Sequence, residues 1–189
     1  MRKTVSSQDV INKLDQMING MSNEKRKQNL LKWLDLYCDY VNSERLFDPE
    51  KMLTYKPGDV ITVNFGFNVG SEFGGRHYAV VLHKDFRTNR TLTVVPLSSC
   101  KSKADVKWYN TYLGIIPELN QPPYWHSKIT EKKHTFAVIN QTRAIDKMRI
   151  SFPVMLENKK DVFNIGRDRL EKIQRALTKR LNLGYNGNN

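Results

Sequence analysis

The spacing of apolar residues changes at Gly58, and this change sets the fold class. Before Gly58, apolar residues recur every three or four positions, which is typical of amphipathic helices. After it, segment 59–65 alternates and is rich in Val, Ile and Thr, which favours a strand. The chain is therefore predicted to be α+β, with helices first and a sheet after them.

Two helical repeats precede Gly58, in 10–21 and in about 24–41. Ser6 or Ser7 can cap the first helix, and the break at 20–23 separates it from the second. Each repeat has a single apolar stripe, so we predict a helical hairpin. Residues 1–50 are expected to form this N-terminal extension and residues 51–189 the main domain.

The main domain is predicted to be a small β-barrel, because its strands are short and separated by turns. A C-terminal helix is expected from about Gly166 to Leu183. The stretch from Ser99 to Lys133 is expected to be irregular. The predicted strands are 59–65, 78–82, 91–97, 135–139 and, less regularly patterned, 152–156, with a hairpin turn at 84–90.

The formal charge of +12 favours a polyanionic partner, because Lys and Arg that neutralise phosphates release counterions. Residues 1–54 carry 9 Lys/Arg and 8 Asp/Glu, so almost all of the excess belongs to the main domain. Cys38 and Cys100 lack metal-ligand spacing and are expected to be reduced thiols. With no apolar signal or membrane-length stretch, a cytoplasmic protein without membrane contact is expected.

The segment Asn68–Tyr78 joins the first two predicted strands and carries Gly70, Gly74 and Gly75. Glycines allow a ligand to approach the backbone closely, and Arg76 could help the loop to hold a phosphate. A plain turn explains the same glycines. The segment lacks the Gly-Lys-Ser/Thr of a Walker A motif.

Three segments, in order, resemble the MazF/PemK family of toxins. They are Gly-Asp-Val-Ile-Thr-Val-Asn-Phe (58–65) followed by Gly-Ser-Glu-Phe-Gly-Gly (70–75) and Tyr-Ala-Val-Val-Leu (78–82), then Thr-Val-Val-Pro-Leu-Ser (93–98), and finally Asn-Gln-Thr-Arg-Ala-Ile-Asp-Lys-Met-Arg-Ile (140–150). The resemblance covers about Tyr55 to Leu183. It implies a small SH3-like barrel, usually a homodimer, that cleaves single-stranded RNA at selected sequences without a metal or cofactor. It also implies a cognate antitoxin partner.

The resemblance assigns the candidate site residue by residue. The family's main catalytic arginine corresponds to His77 here, and Arg76 lies one position earlier. The family's catalytic threonine corresponds to Ser98, with which Ser99 could exchange roles. Residues expected to line the site and bind RNA are Ser71, Glu72, Gln141 and Arg143.

These residue types suit metal-free RNA cleavage. Histidine, with an ordinary pKa of about 6.5, transfers protons at neutral pH. Arg76 or Arg143 can neutralise the charge that builds up on phosphorus, and Ser98 can donate a hydrogen bond to it. His77 could equally be an ordinary packed or surface histidine, and Ser98 only a strand-end cap.

Two other functions remain open. One is a catalytically silent RNA-binding module, in which His77 cannot replace the family's arginine. The other is a protein-binding poison, because the fold that the resemblance implies is also that of the CcdB toxins, which bind a protein target. In the 101–133 segment, Trp108 and Trp125 are candidates for stacking on RNA bases or for pinning the segment onto the barrel.

Overall fold

A computed structural model describes residues 4–120, 133–154, 159 and 161–182. The chain separates into two compact units, Met1–Arg45 and Leu46–Asn189. The boundary that the sequence predicts, after residue 50, stays a prediction.

The first unit contains two helices, α1 (Ser7–Asn19) and α2 (Glu24–Ser43). The Ser6 hydroxyl accepts a hydrogen bond from the Asp9 N–H at 3.1 Å, and the Asp9 carboxylate accepts one from the Ser6 N–H at 3.3 Å, which satisfies two donors of the first turn. Asn23 caps α2 in the same way, through the Arg26 N–H. The two helices expected from the apolar spacing are confirmed.

The described residues of the second unit form an antiparallel sheet of eight strands and one α-helix, besides short 3-10 helices. The strands are β1 (Asp59–Asn64), β2 (Arg76–Val81), β3 (Thr91–Cys100), β4 (Thr111–Ile115), β5 (His134–Ala137), β6 (Arg143–Asp146), β7 (Ile150–Phe152) and β8 (Phe163–Asn164), and the helix is α3 (Arg167–Arg180). Their order in the sheet is β4-β5-β3-β2-β1-β7, with β6 beside β3 and β8 beside β1. Among the described residues no pairing joins β4 to β7, so the α+β class is confirmed while closure into a barrel stays a prediction.

Alternation along the strands divides the core into two clusters. On β2, Ala79 and Val81 belong to one cluster and Val80 to the other. The first cluster, around Phe65, is called cluster A below; the second, which includes Ile173 of α3, is called cluster B. Because successive side chains of a strand point to opposite faces, cluster membership shows which face each site residue occupies.

Two sequence predictions need correction. The strand predicted at 152–156 is found earlier, at Ile150–Phe152. Pro153 follows it, and proline has no N–H to continue a ladder; residues 155–158 lie outside the described part of the chain. The segment expected to be irregular contains β4, while Trp125 lies outside the described residues. The β2–β3 hairpin and α3 are confirmed.

Candidate active site at the β1–β2 loop

The loop between β1 and β2 (residues 65–75) is closed by backbone bonds at both ends. The Phe65 N–H donates to the Gly75 carbonyl at 2.8 Å, and the Gly75 N–H donates to the Gly66 carbonyl at 2.7 Å. Inside the loop, the Asn68 amide donates to the carbonyls of Phe65 and Phe73. A Cβ at Gly74 would lie 2.7 Å from the Gly66 carbonyl oxygen, so this position requires glycine. The loop is therefore a fixed structure.

Gln141 connects this loop to the chain that precedes β6. Its Oε1 accepts the Phe73 N–H at 3.0 Å, and its Nε2 donates to the Ser71 carbonyl at 3.4 Å. The Gln141 side chain thus acts as a backbone-like partner for two loop residues that are far from it in sequence. Its predicted role in lining the site and binding RNA stays a prediction.

Arg143 supplies the positive charge beside the loop. It pairs with Val94 of β3, which belongs to cluster A, so its side chain leaves the sheet on that face. Nη2 donates to the Phe73 carbonyl at 3.3 Å and to Gln141 Oε1 at 2.9 Å, and the guanidinium lies 5.5 Å from the Phe65 ring centroid. Within the described part of the chain, Nη1 has no hydrogen-bond partner. The partly exposed guanidinium is positioned for an anionic ligand.

His77 is half-buried on the same face as cluster A. Its ring lies 4.5 Å from the Phe73 ring, centroid to centroid. Burial lowers the pKa of His77 below its ordinary value, and a hydrogen bond with the Gly74 backbone opposes this effect in part. The neutral imidazole, which is the form that accepts a proton, is therefore favoured at neutral pH.

Ser98 occupies the position across from His77. The β2–β3 register pairs Val80 with Val95 and Ala79 with Pro96, and the same register, continued by two residues, sets His77 opposite Ser98. The described ladder stops at Ala79, and from Leu97 onward β3 pairs with β5 on its other side. Alternation along β2 and β3 places the His77 and Ser98 side chains on the same face.

The remaining candidates are Arg76 and Ser99 on the strands and Ser71 and Glu72 on the loop. Alternation places Arg76 and Ser99 on the face opposite to His77 and Ser98, and both are exposed. Ser71 and Glu72 are exposed on the loop, where the Glu72 N–H donates to the Val69 carbonyl. The structure thus gathers His77, Ser98, Gln141 and Arg143 and separates them from Arg76 and Ser99.

Comparison with protein families gives one match that covers most of the main unit. The family described as "PemK-like, MazF-like toxin of type II toxin-antitoxin system" matches residues 56–181, which is 126 of the 189 residues. The chain belongs to this toxin family. Curated protein sequences give no match.

Solved structures of MazF from Deinococcus radiodurans are similar to this chain. The Form-I MazF structure has 16% sequence identity to this chain and a TM-score of 0.45. The match covers 69% of this chain and 98% of the MazF chain. Two structures titled MazE-MazF from the same organism, Form-III and Form-II, have 15% and 16% identity and TM-scores of 0.41 and 0.42. They cover 69% and 70% of this chain and 98% and 99% of their own.

Sequence reasoning missed the residue at the centre of this toxin's site, Phe73. Its ring contacts His77 and, edge-on at 5.6 Å, Phe65. Its N–H and carbonyl bind Gln141 and Arg143. The loop contains other apolar residues, Phe65, Phe67 and Val69, so the sequence alone does not single out Phe73.

Nowhere in residues 4–120, 133–154, 159 and 161–182 do three or more His, Cys, Asp or Glu side chains gather as metal ligands would. In the same ranges, every helix is too short or too polar to cross a membrane.

Proposed function

We propose that the chain is the toxin of a toxin–antitoxin pair and an endoribonuclease that cuts single-stranded RNA in the cytoplasm. Membership of the toxin family and the side chains around the β1–β2 loop support this proposal. The single observation that carries it is the shared face of His77, Ser98 and Arg143, which puts a base, a hydroxyl donor and a guanidinium on one side of the sheet.

The proposed reaction is transfer of the RNA phosphodiester to its neighbouring 2′-hydroxyl. The 2′-oxygen forms a bond to phosphorus while the bond from phosphorus to the 5′-oxygen breaks. The products are a 2′,3′-cyclic phosphate, or the 3′ phosphate formed from it by water, and a 5′-hydroxyl. Neutral His77 takes the proton of the 2′-hydroxyl and returns it to the leaving 5′-oxygen, so that protons balance without a metal.

Charge builds up on the phosphoryl oxygens during this transfer. Arg143 neutralises it, and Ser98 donates a hydrogen bond to it. Arg143 suits this role better than Arg76, because Arg143 lies on the same face as His77. By the same argument Ser98, and not Ser99, supplies the hydroxyl. Arg76, Ser99, Ser71 and Glu72 would then contact RNA at the edges of the site.

The proposal extends to fold and partners. The sheet closes into a barrel in the intact protein, two copies form a homodimer, and a cognate antitoxin covers the RNA site. These features follow from the family resemblance; for the antitoxin, the existence of structures titled MazE-MazF adds support.

The test is cleavage of a long single-stranded RNA by purified, antitoxin-free protein in EDTA, with the ends of all fragments mapped. His77→Ala is expected to slow cleavage at least 100-fold, in line with the roughly 10²–10⁴-fold typical of a general acid–base group. Ser98→Ala is also expected to slow it at least 100-fold, since losing one hydrogen-bond donor to the developing charge typically costs about 10²–10³-fold. Ser99→Ala is the matched control for Ser98→Ala and should cleave nearly as fast as the unaltered protein.

Each outcome decides between functions. Discrete cuts with 5′-hydroxyl ends, lost on His77→Ala, support the nuclease. Intact RNA that is nevertheless bound by folded protein points to the silent RNA-binding module. Growth inhibition by His77→Ala protein equal to that of the unaltered protein, without RNA cleavage, points to the protein-binding poison.

A further inference from the structure

β3 continues past Ser98 into a separate group of strands. Its first half pairs with β2 and β6, and its last four residues, Leu97–Cys100, pair with β5. β5 in turn pairs with β4. The strands β3, β5 and β4 therefore form a small sheet that begins at the proposed cleavage point and extends away from it.

Three side chains form a row across this small sheet. Ser98 pairs with Phe136, and Phe136 pairs with Tyr112. Side chains directly opposite each other in antiparallel strands lie on the same face, with Cβ atoms about 4.5–5.5 Å apart. Phe136 is therefore the immediate cross-strand neighbour of Ser98, and Tyr112 is next in the row.

The two rings of this row do not belong to the core. The opposite face of the small sheet carries Leu97, Ala137 and Leu113, which are buried in cluster B. Phe136 and Tyr112 are partly exposed, and within the described part of the chain neither packs into cluster A or cluster B. Within the part of the chain that the structure describes, core packing does not account for this pair of aromatic side chains beside Ser98.

Tyr112 is held in one orientation. Its hydroxyl lies 2.6 Å from Nδ1 of His134, and the two rings are 5.7 Å apart with planes inclined by 30°. His134 pairs with Cys100, so it shares the face of Ser98. The Lys103 ammonium lies 5.7 Å from the Tyr112 ring centroid. The surface thus combines fixed aromatic faces with a nearby cation.

We propose that Phe136 and Tyr112 form a stacking platform for an unpaired RNA base next to the cleaved phosphate, with Lys103 facing the backbone of that nucleotide. This inference rests on the proposed function, because it places the base relative to Ser98. Single-stranded RNA binds proteins by stacking bases on aromatic rings beside basic groups. Since every base has a flat face, the platform adds affinity for the strand more than selection of its sequence.

The experiment uses the unaltered protein and an RNA that contains the mapped cut site. The attacking nucleotide is 2′-deoxy, so that the strand binds without being cut. The fluorescent base 2-aminopurine replaces each base around the cut in turn. Stacking quenches its fluorescence, so one position beside the cut is expected to be quenched on binding.

Variants assign the quenching to the platform. Tyr112→Leu and Phe136→Leu are expected to abolish it and to weaken RNA binding between about fivefold and a hundredfold. Tyr112→Phe removes the hydroxyl and keeps the ring, so the quenching should remain. Phe86→Leu is the matched control, because Phe86 is 57% exposed, has Lys84 5.6 Å from its ring, and lies in the turn at the other end of β2.

The outcomes separate this inference from the function on which it rests. Natively folded Leu variants that bind RNA and quench as the unaltered protein does would overturn the platform and leave the nuclease standing. So would photo-crosslinks from 4-thiouridine beside the cut that reach other strands but not β4 or β5, a result that needs no variant to fold. Failure of the unaltered protein to bind or cleave RNA would remove the proposed function itself.

Discussion

The ring of His77 lies 4.5 Å from the ring of Phe73, and this contact connects the proposed base to the loop that holds the other site residues. The backbone of Phe73 binds Gln141 through its N–H and Arg143 through its carbonyl. One loop residue thus contacts three candidate side chains that come from two separate segments of the chain. A change in the loop is expected to alter all of them together.

The pH dependence of cleavage tests the role of His77. Burial lowers its pKa, so the neutral form persists to lower pH than for an ordinary histidine. The rate constant kcat/KM for RNA is expected to rise with pH and to reach half of its plateau below about pH 6.5, the unperturbed histidine value. Rates measured between pH 5 and 8 on protein shown to be folded would locate this midpoint.

The same shift predicts the pH dependence of stability. The folded chain binds its proton on His77 more weakly than the unfolded chain, whose histidine has a pKa of about 6.5. The contribution of His77 to the free energy of unfolding is therefore complete above that pH and falls as the pH decreases through it. Urea unfolding of His77→Gln protein should show a weaker decline between pH 7 and 5; an identical decline would contradict the assignment.

Gln141→Leu tests whether the loop must be held for activity. The substitution leaves the Phe73 N–H without its partner, which costs about 1–3 kcal/mol if the group stays buried. We expect the rate of RNA cleavage to fall by tenfold or more. The midpoint of unfolding is expected to change by a smaller factor. Gln174→Leu, on the exposed side of α3, is the matched control and should keep full activity. Full activity of Gln141→Leu would mean that the loop position does not control the chemistry.

Alanine substitutions at two glycines of the same loop are expected to have opposite effects on RNA cleavage. At Gly74 an added Cβ would meet the Gly66 carbonyl oxygen at 2.7 Å, so Gly74→Ala must move the loop backbone. At Gly70 the Cβ would meet nothing within 4 Å, and only the positive φ of 58° opposes alanine, at roughly 1 kcal/mol. Gly74→Ala is expected to abolish most cleavage, whereas Gly70→Ala should retain it and unfold at a slightly lower temperature. Equal activity of the two variants would show that the loop adapts.

Strong local patterns allowed much of the fold to be predicted from the sequence. The β-branched alternation of β1 and the apolar spacing of α3 each determine the element without help from the rest of the chain. β4 and β6 were missed because their sequences, Thr-Tyr-Leu-Gly-Ile and Arg-Ala-Ile-Asp, carry no such pattern. They are strands because β5 and β3 offer them partners, and this tertiary effect leaves no local signal.

The sequence supplies candidates for the site, and their arrangement depends on the fold. The resemblance located His77, Ser98, Gln141 and Arg143, which the sheet then brings to one region. It could not separate Ser98 from Ser99 or Arg143 from Arg76, because the face of each residue depends on strand register. Lys147 shows the same limit, since it lies in the basic segment that resembles an RNA-binding motif yet is completely buried.

Lys147 forms a buried ion pair with Asp85, with Nζ 2.8 Å from Oδ2 and neither side chain exposed. Its ammonium also donates to the Phe86 carbonyl, and Asp85 Oδ2 accepts the Tyr55 N–H. Lys147→Met would leave the Asp85 carboxylate buried without its counter-ion. The other carboxylate oxygen, Oδ1, cannot compensate, because it has no partner within the described part of the chain. The free energy of unfolding is expected to fall by about 3–5 kcal/mol.

Urea unfolding of Lys147→Met, Asp85→Asn and the double variant measures the coupling between the two charges. Because Asn carries no charge, the double variant should be more stable than Lys147→Met alone, and the two single effects should not add. Lys179→Met, on the exposed side of α3, is the matched control for loss of a lysine and should change the free energy of unfolding by less than about 0.5 kcal/mol. If the single effects add, Lys147 stabilises the fold through its packing and its bond to Phe86, and the ion pair itself contributes nothing measurable.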